Sequence, residues 1–194
     1  MKNGSWIWID RCVVDLQATL ETLRRQGPRI AAAIDLLTST LQAGGKVLAA
    51  GNGGSAADAM HFAEELIGRF RGNRRAFPAV ALTADGTALT CIGNDFGFDF
   101  VFSRQVEGLG CPGDLLVLFS TSGRAANLDR ALQAARARGM KVLLLLGRDG
   151  GALADRGDVE ICVAGTATER IQEAHQLLIH LLLEGVERWS PPPS

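Results

Sequence analysis

The sequence predicts an α/β fold, a three-layer sandwich in which helices cover both faces of a five-stranded parallel sheet. Five short runs are apolar on both faces and are separated by helical stretches, as in buried parallel strands joined by crossover helices. Of the 194 residues, 47% are hydrophobic, which is sufficient for one large core. We therefore expect a single domain over residues 1–194.

Two helices are predicted before the first strand. Apolar residues recur at helical spacing over residues 9–23 and, after a break at Gly27 and Pro28, over residues 30–41. This N-terminal pair, within residues 1–43, is not needed for a crossover between strands. We therefore expect it to take part in oligomerisation.

The strands and the last helix follow from the same patterns. The predicted strands are residues 46–50, 79–83, 115–120, 141–147 and 159–163. A final helix is predicted over residues 166–189, ended by Pro191 to Pro193. It is apolar over most of its circumference, so it needs partners on several sides, either in an oligomer or in the sheet and helices of its own chain.

Charge and cysteine spacing exclude several classes of protein. The 21 acidic and 20 basic residues nearly balance, which argues against a nucleic acid or a membrane surface as partner. The chain shows neither a signal-peptide core nor an apolar run of ~20 residues. The four cysteines lack metal or disulfide spacing, so we expect reduced, mostly buried thiols. Together these features predict a cytoplasmic protein with small polar ligands.

A glycine-rich loop follows the first strand. Its sequence, Gly51-Asn52-Gly53-Gly54-Ser55, precedes a helix predicted to start at or just after Ser55, a good N-cap residue. Free N–H groups at such a helix start suit a phosphate. The segment also fits a loose dinucleotide fingerprint, but the acidic residue expected about 20 positions later is missing, which disfavours an NAD enzyme.

A second loop of this kind follows the third strand. Ser120-Thr121-Ser122-Gly123 offers three hydroxyls and a glycine before a helix predicted over residues 124–138. Such a nest can hold phosphate oxygens. We expect the two loops to face each other across the switch point of the sheet, with a sugar phosphate between them.

Polar side chains on two helices form a candidate metal site. His61 and Glu65 are four residues apart and share one helix face, although the Glu64-Glu65 pair would also suit a solvated surface. Gln172 and His180 roughly share a face of the last helix, from which His175 points away. The set His61, Glu65, Gln172 and His180 is a plausible ligand set for zinc or a similar divalent ion.

Four motifs in order resemble the bacterial phosphoheptose isomerases, a branch of the sugar isomerase (SIS) domain superfamily. They are GNGGSAADAMHFAEEL from Gly51, GNDFGF from Gly93, STSG from Ser120 and RIQEAHQLLIH from Arg170. The resemblance covers residues 30–187. It implies a homotetramer of flavodoxin-like SIS domains with active sites at subunit interfaces. It also implies conversion of sedoheptulose 7-phosphate to glycero-manno-heptose 7-phosphate, the first step toward cell-envelope heptose.

The resemblance assigns roles to individual residues. Glu65 matches the general base, His180 its partner acid, and the zinc ligands are His61, Glu65, Gln172 and His180. The predicted substrate contacts are Asn52, Gly53, Gly54, Ser55, Glu65, Asp95, Ser120, Thr121, Ser122, Arg124 and Gln172. Two positions depart from the family pattern: Ala125 stands where a serine is usual, and Glu169 where an aspartate is usual. Arg124 could offset the lost hydroxyl by its charge.

Isomerisation of this kind requires one base and one acid. A proton leaves the carbon beside the carbonyl, an enediol forms, and the proton returns to the neighbouring carbon. We assign the carbon proton to Glu65 and the oxygen protons to His180. Two alternatives stay open: a non-catalytic SIS module that binds a replication initiator, and an isomerase for another sugar phosphate. The intact pair Glu65 and His180 favours the isomerase.

Overall fold

The computed structural model describes residues 6–189, in which a five-stranded sheet lies between two layers of helices. The helices are α1 (Ile7–Arg24), α2 (Gly27–Gln42), α3 (Gly54–Ile67), α4 (Gly86–Phe96), α5 (Ser103–Leu109), α6 (Ala126–Ala137) and α7 (Thr168–Trp189). The strands are β1 (Val47–Gly51), β2 (Ala79–Ala81), β3 (Leu115–Ser120), β4 (Lys141–Gly147) and β5 (Val159–Val163). Two 3-10 turns occur at Phe98–Phe100 and Gly151–Leu153. Pro191 to Pro193, predicted to end α7, lie outside the described residues.

The sheet has the strand order β2-β1-β3-β4-β5, and each pair of neighbours is parallel. This doubly wound order reverses direction between β1 and β3, where such folds bind ligands beyond the carboxyl ends of the strands. The register pairs Gly51 of β1 with Phe119 of β3. The loops after these two strands therefore leave the sheet side by side, and the predicted fold class is confirmed.

The side chains of alternate residues in each strand pack into two separate hydrophobic cores, one on each face of the sheet. Val47, Val117 and Leu145 face a core completed by α1, α2, α3 and α7. Leu48 and Leu118 face the opposite core, which α4, α5 and α6 cover. The continuous apolar runs in the sequence have this physical cause, because each strand is buried on both faces.

Helix α7 finds most of its partners within its own chain. Eight of its residues are buried, and it packs against α1, α2, α3, β4 and β5. Its apolar circumference therefore requires no second subunit, contrary to one of the two reasons for expecting an oligomer. The large exposed apolar side chains near the N-terminus lie on and beside α1 instead: Trp6, Ile7, Trp8, Val13 and Val14.

Several predicted boundaries differ from the structure. β3, β4 and β5 have the expected bounds, whereas β2 ends at Ala81 because Leu82 and Thr83 enter a turn. The helix predicted from Arg124 starts at Ala126. Helix α4 has no counterpart among the predicted elements; none of its residues is fully buried, although Leu89 and Ile92 pack against the second core.

The cysteines and the helix hydropathy bear on two expectations. Among residues 6–189 all four cysteines are free thiols, as expected, but Cys91 and Cys111 are exposed and Cys12 and Cys162 only partly buried. The prediction of mostly buried thiols is wrong, because these residues lie at the surfaces of helices and a loop and in the edge strand β5. Over the same residues, no helix is both long and apolar enough to cross a membrane.

Candidate active site

The glycine-rich loop turns directly into α3. The helix starts at Gly54 with Gly53 at the N-cap position, so the assignment of Ser55 as N-cap is wrong. The backbone N–H of Ser55 already donates to the carbonyl of Asn52 at 3.1 Å, and that of Ala56 donates to Gly53 at 3.0 Å. Helical turning thus begins before Ser55, whose side chain is buried in the first turn.

Gly54 brings this loop against α7. A Cβ atom at this position would lie 2.3 Å from Nε2 of Gln172, far inside van der Waals contact. Only a residue without a side chain leaves room for that amide. The structure thus places Gln172, one of the predicted ligand and substrate residues, against the loop that carries the predicted phosphate contacts.

The loops after β1 and β3 are joined by a pair of asparagines. Asn52 Nδ2 donates to Asn127 Oδ1, and Asn127 Nδ2 donates back to Asn52 Oδ1, both at 2.9 Å. Asn127 lies in the first turn of α6 and is buried. The expected juxtaposition of the two loops is therefore present, and the side chain of Asn52 helps to fix it.

The second loop is held in place by hydrogen bonds to its own serine side chains and by close packing against the backbone of Gly150. Ser120 is buried, and its Oγ accepts a hydrogen bond from the N–H of Gly123 at 2.9 Å. Gly123 packs so closely that a Cβ atom would lie 1.8 Å from the carbonyl oxygen of Gly150. Thr121 and Ser122 are half-buried, and Ser122 Oγ accepts from the N–H of Arg124 at 3.4 Å.

Arg124 pairs with a carboxylate in the loop after β4. Its guanidinium forms an exposed ion pair with Asp149. The N–H of Gly151 and the Arg124 charge together hold the pKa of Asp149 below its usual range. Ala125 is the N-cap residue of α6, with extended φ and ψ of −80° and 122°, so the departure from the family serine falls where a hydroxyl would cap the helix.

Three side chains cluster about two to three turns further along α3. His61, Glu64 and Glu65 each bring a ligand atom within 4.8 Å of the others. His61 Nε2 lies 3.3 Å from Glu65 Oε1, and the Glu65 side chain is only 15% exposed. Among the described residues, Glu65 Oε2 is buried without a hydrogen-bond partner. Glu64 is exposed, so it is Glu65 that faces the interior.

His180 reaches the same place from α7. Its ring centroid lies 5.3 Å from that of His61, with the rings nearly perpendicular. Phe70 stacks on its other side at 5.5 Å between centroids. The structure thus brings together His61, Glu65 and His180, as expected from the sequence, and Phe70 is a further wall that sequence reasoning missed.

The sequence analysis also missed two residues that form a hydrogen-bonded chain with Nδ1 of His61. Asp58 is 3% exposed and accepts a hydrogen bond from Gln176 Nε2, while Gln176 Oε1 lies 2.7 Å from His61 Nδ1. Burial raises the pKa of Asp58, although Gln176 and His61 act in the opposite direction. Helical spacing could have found both, since Asp58 lies one turn before His61 and Gln176 one turn before His180.

Arg74 closes the C-terminal end of α3. Its side chain is 3% exposed, and its guanidinium donates to the backbone carbonyls of Glu65 and Leu66, with the latter bond at 2.9 Å. Burial lowers its pKa, against the charges of Glu187 and Glu65. A cation suits the free carbonyls of a helix end and fixes the turn that carries Glu65.

The donor set fits a divalent metal. Imidazole nitrogens and a carboxylate oxygen are ligands that zinc prefers. Glu65 Oε2 has no hydrogen-bond partner among the described residues, and His61 Nε2 lies 3.3 Å from Glu65 Oε1, so ligand atoms of both side chains lie close together. His61, Glu64 and Glu65 are therefore a group that could hold a metal ion.

Asp95 lies apart from this cluster within one chain. It is exposed near the end of α4, where its carboxylate accepts hydrogen bonds from Asn94 at 2.7 Å and Cys91 at 3.6 Å. Glu169 is likewise exposed, in the first turn of α7. The substrate contact predicted for Asp95 remains a prediction.

Comparison with known proteins defines the class to which this fold and site belong. The family model of the SIS domain matches residues 13–147. The chain therefore belongs to the SIS domain family. Within that family it belongs to the phosphoheptose isomerases, as the similarity to named relatives shows. It is 50% identical over 184 residues to the phosphoheptose isomerase of Geobacter sulfurreducens, covering 93% of this chain and 97% of the relative.

Solved structures agree with this placement. The phosphoheptose isomerase of Neisseria gonorrhoeae is 45% identical with a TM-score of 0.85, covering 93% of this chain and 96% of that chain. A phosphoheptose isomerase of Francisella tularensis is 37% identical with a TM-score of 0.89, covering 97% and 100%. These similarities do not favour the non-catalytic module that the sequence left open.

Proposed function

We propose that this protein is an aldose-ketose isomerase that converts D-sedoheptulose 7-phosphate to D-glycero-D-manno-heptose 7-phosphate, the first step of ADP- or GDP-heptose synthesis. Membership of the family supports the reaction class, and the name of the relatives supports a heptose phosphate. The observation that carries the proposal is the largely enclosed Glu65 carboxylate, which contacts His61 while His61 contacts His180, on the helix that the glycine-rich loop begins.

The phosphate binds between the two loops. Ser120 Oγ accepts from Gly123, so its own hydrogen stays available to a phosphate oxygen, and Thr121 and Ser122 add two hydroxyls. The N–H groups in the first turn of α6, which has no side-chain cap, add donors, and the starts of α3 and α6 both add partial positive charge. Asn52, Gly53, Gly54 and Ser55 form the facing wall. This arrangement leaves the sugar to extend toward α7.

Glu65 and His180 perform the proton transfers. Glu65 removes a proton from C1 of the ketose, the electrons of that C–H bond form the enediol, and the same proton returns to C2 to give the aldose. His180 moves the hydroxyl proton from O1 to O2. Phe70, stacked on His180, excludes water from one side of the imidazole and holds its plane.

A zinc ion would be held by His61, Glu65, Gln172 and His180. Bound there, it would polarise the carbonyl oxygen and stabilise charge on the enediolate. A carboxylate oxygen that binds a metal is a poor base. The two Glu65 oxygens differ, because Oε1 faces His61 at 3.3 Å whereas Oε2 is unpartnered among the described residues. One oxygen is thereby left for each task.

The proposal includes a homotetramer in the cytoplasm. The exposed apolar side chains on and beside α1 and the exposed position of Asp95 support active sites completed by a neighbouring subunit. The four free thiols suit a reducing compartment. We assign neither a nucleic acid nor a membrane as partner.

The variant Glu65→Gln tests the role of the carboxylate. It keeps the shape of the side chain and removes its basicity, so we expect turnover of sedoheptulose 7-phosphate to fall by at least ~10³-fold, in the range that a positioned base supplies. Binding of the sugar phosphate, followed by calorimetry, should persist. Turnover is measured by following the aldose signal in NMR spectra.

Two matched variants make this result specific. Glu107→Gln makes the same change on an exposed residue of α5 and should leave turnover unaltered. Glu64→Gln removes the neighbouring carboxylate, which is exposed and should matter far less. If Glu64→Gln abolished turnover and Glu65→Gln did not, the assignment of the base would be wrong. Turnover of pentose or hexose phosphates in place of the heptose would implicate Ala125 and Glu169.

A further inference from the structure

We propose that Gln176 and Asp58 are positioning residues that fix the neutral His61 ring as its Nδ1–H tautomer and so present the Nε2 lone pair toward Glu65. The inference deepens the proposed function, because His61 belongs to the metal site on which that function draws. It rests on an unbroken chain of side chains across α3 and α7, from Asp58 through Gln176 and His61 to Glu65.

The direction of the chain is set at Asp58. This side chain is 3% exposed, and its Oδ1 accepts a hydrogen bond from Nε2 of Gln176. The opposite side of the amide is then its carbonyl oxygen. That oxygen lies 2.7 Å from Nδ1 of His61, a distance typical of a hydrogen bond.

The amide oxygen can only accept, so His61 Nδ1 must carry the hydrogen. A neutral imidazole with its hydrogen on Nδ1 has a lone pair on Nε2. This is the arrangement in which a histidine binds a metal through one nitrogen while a second group orients the ring through the other. Here the second group is an amide whose own orientation is fixed by a buried carboxylate.

The other ring nitrogen of His61, Nε2, faces the position where a metal would bind. His61 Nε2 lies 3.3 Å from Glu65 Oε1, so two acceptors face each other. Among the described residues, Glu65 Oε2 has no partner either. Acceptors in this position attract a cation, and the chain from Asp58 holds the single hydrogen of the neutral ring on Nδ1, so that the Nε2 lone pair is available to a metal.

The tautomer can be observed directly in the metal-free protein. In the full chain labelled with ¹⁵N-histidine and stripped by a chelator, the ring nitrogens of His61, assigned by their loss in His61→Asn, should show a hydrogen on Nδ1 and a bare Nε2. Asp58→Asn keeps the size of the side chain but lets the Gln176 amide turn over. Gln176→Leu removes both hydrogen bonds. Both variants should shift His61 toward the Nε2–H form.

Zinc affinity gives a second readout. Loss of a group that orients a metal ligand typically costs 10–100-fold in affinity, so we expect zinc to bind ~10–100-fold more weakly to Asp58→Asn and Gln176→Leu in competition with a chromophoric chelator. Gln133→Leu is the matched control, because Gln133 also donates to an aspartate, Asp129, but on the exposed face of α6. It should bind zinc like the unaltered protein.

Thermal unfolding of the metal-free variants separates positioning from folding. If Gln176→Leu fails to fold, Asp58→Asn carries the test. An Nε2–H or doubly protonated His61 in the unaltered protein would overturn the proposal. So would an unchanged tautomer and zinc affinity in a folded Asp58→Asn. Neither readout requires turnover, so a failure to isomerise sedoheptulose 7-phosphate would count against the proposed function and leave the tautomer result intact.

Discussion

At the level of single residues, Ala125 leaves helix α6 without a side-chain N-cap hydrogen bond. Its φ and ψ are those of a helix N-cap, but a methyl group replaces the hydroxyl that would accept from the N–H groups of the first turn of α6. Those N–H groups face the loop that we assign to the phosphate. The departure therefore leaves donors free that a serine would occupy.

The variant Ala125→Ser should stabilise the protein by about 1 kcal/mol, because the new hydroxyl can accept from the N–H of Asn127 or Leu128. For a chain of this length the midpoint of thermal unfolding should rise by ~2–4 °C. Differential scanning calorimetry measures the change. Ala31→Ser, within the exposed face of α2, is the control and should lower the midpoint slightly. A fall in Ala125→Ser would show that the first turn of α6 does not accept a cap.

The sequence predicts the residues proposed for catalysis and metal binding better than it predicts the residues that position them. His61, Glu65 and His180 are polar side chains at helical spacing near a glycine-rich loop, and the structure brings them together. Gln176 and Asp58 leave the same spacing signal but act through other residues, so only the direction of their hydrogen bonds gives them a role. Hydrogen-bond direction depends on three-dimensional contacts that spacing alone does not supply.

At the level of elements, α7 combines packing with chemistry. One stripe of this helix is buried in the core, where His175 is fully enclosed beside Phe119 and donates from Nε2 to the carbonyl of Leu146 at 3.2 Å. Another stripe carries Gln172, Gln176 and His180 at four-residue spacing. The sequence prediction that His175 points away from His180 agrees with this division, and His175 is a core residue.

Burial lowers the pKa of His175 to about 4, because the charged imidazolium would lose its hydration. The unfolded chain binds this proton near pH 6.5, so the unfolded state is favoured as the pH falls from about 6.5 toward 4. The loss of stability should be on the order of 3 kcal/mol. Urea unfolding between pH 7.5 and 4.5 measures it.

A variant isolates this contribution. His175→Gln keeps a donor for Leu146 and cannot titrate, so its stability should fall less steeply over the same pH range, whatever its stability at pH 7.5. Parallel pH profiles for the two proteins would show that His175 does not titrate between its folded and unfolded states as described.

At the level of the whole molecule, the strand order β2-β1-β3-β4-β5 decides where the site lies. It sets the loops after β1 and β3 side by side, and α3 leads from the first of these loops to His61 and Glu65, where α7 adds His180. The strands were predictable because burial on both faces leaves continuous apolar runs. The placement of β1 beside β3 was expected from the two loops, whereas the remaining strand order was not read from the residues alone, because crossover directions leave little local pattern.

The apolar surface on and beside α1 makes a prediction about assembly. If α1 packs between subunits of the proposed tetramer, Trp8→Glu combined with Val14→Glu should give smaller species, because a charge cannot be buried there without a partner. Light scattering after size exclusion measures the mass. Gln17→Glu adds a charge to another exposed position of α1 and tests whether charge alone has this effect. An unaltered tetramer in the double variant would exclude α1 from the interface.

The central claim is that the protein forms an enediol from a heptulose phosphate. It is tested most directly by incubating the unaltered protein with sedoheptulose 7-phosphate in D₂O and following the product by NMR, with and without a chelator. The account predicts an aldose heptose 7-phosphate that carries solvent deuterium at C2 when the Glu65 proton exchanges, with a lower rate once the metal is removed. Failure to form the aldose, even with zinc added, would contradict it.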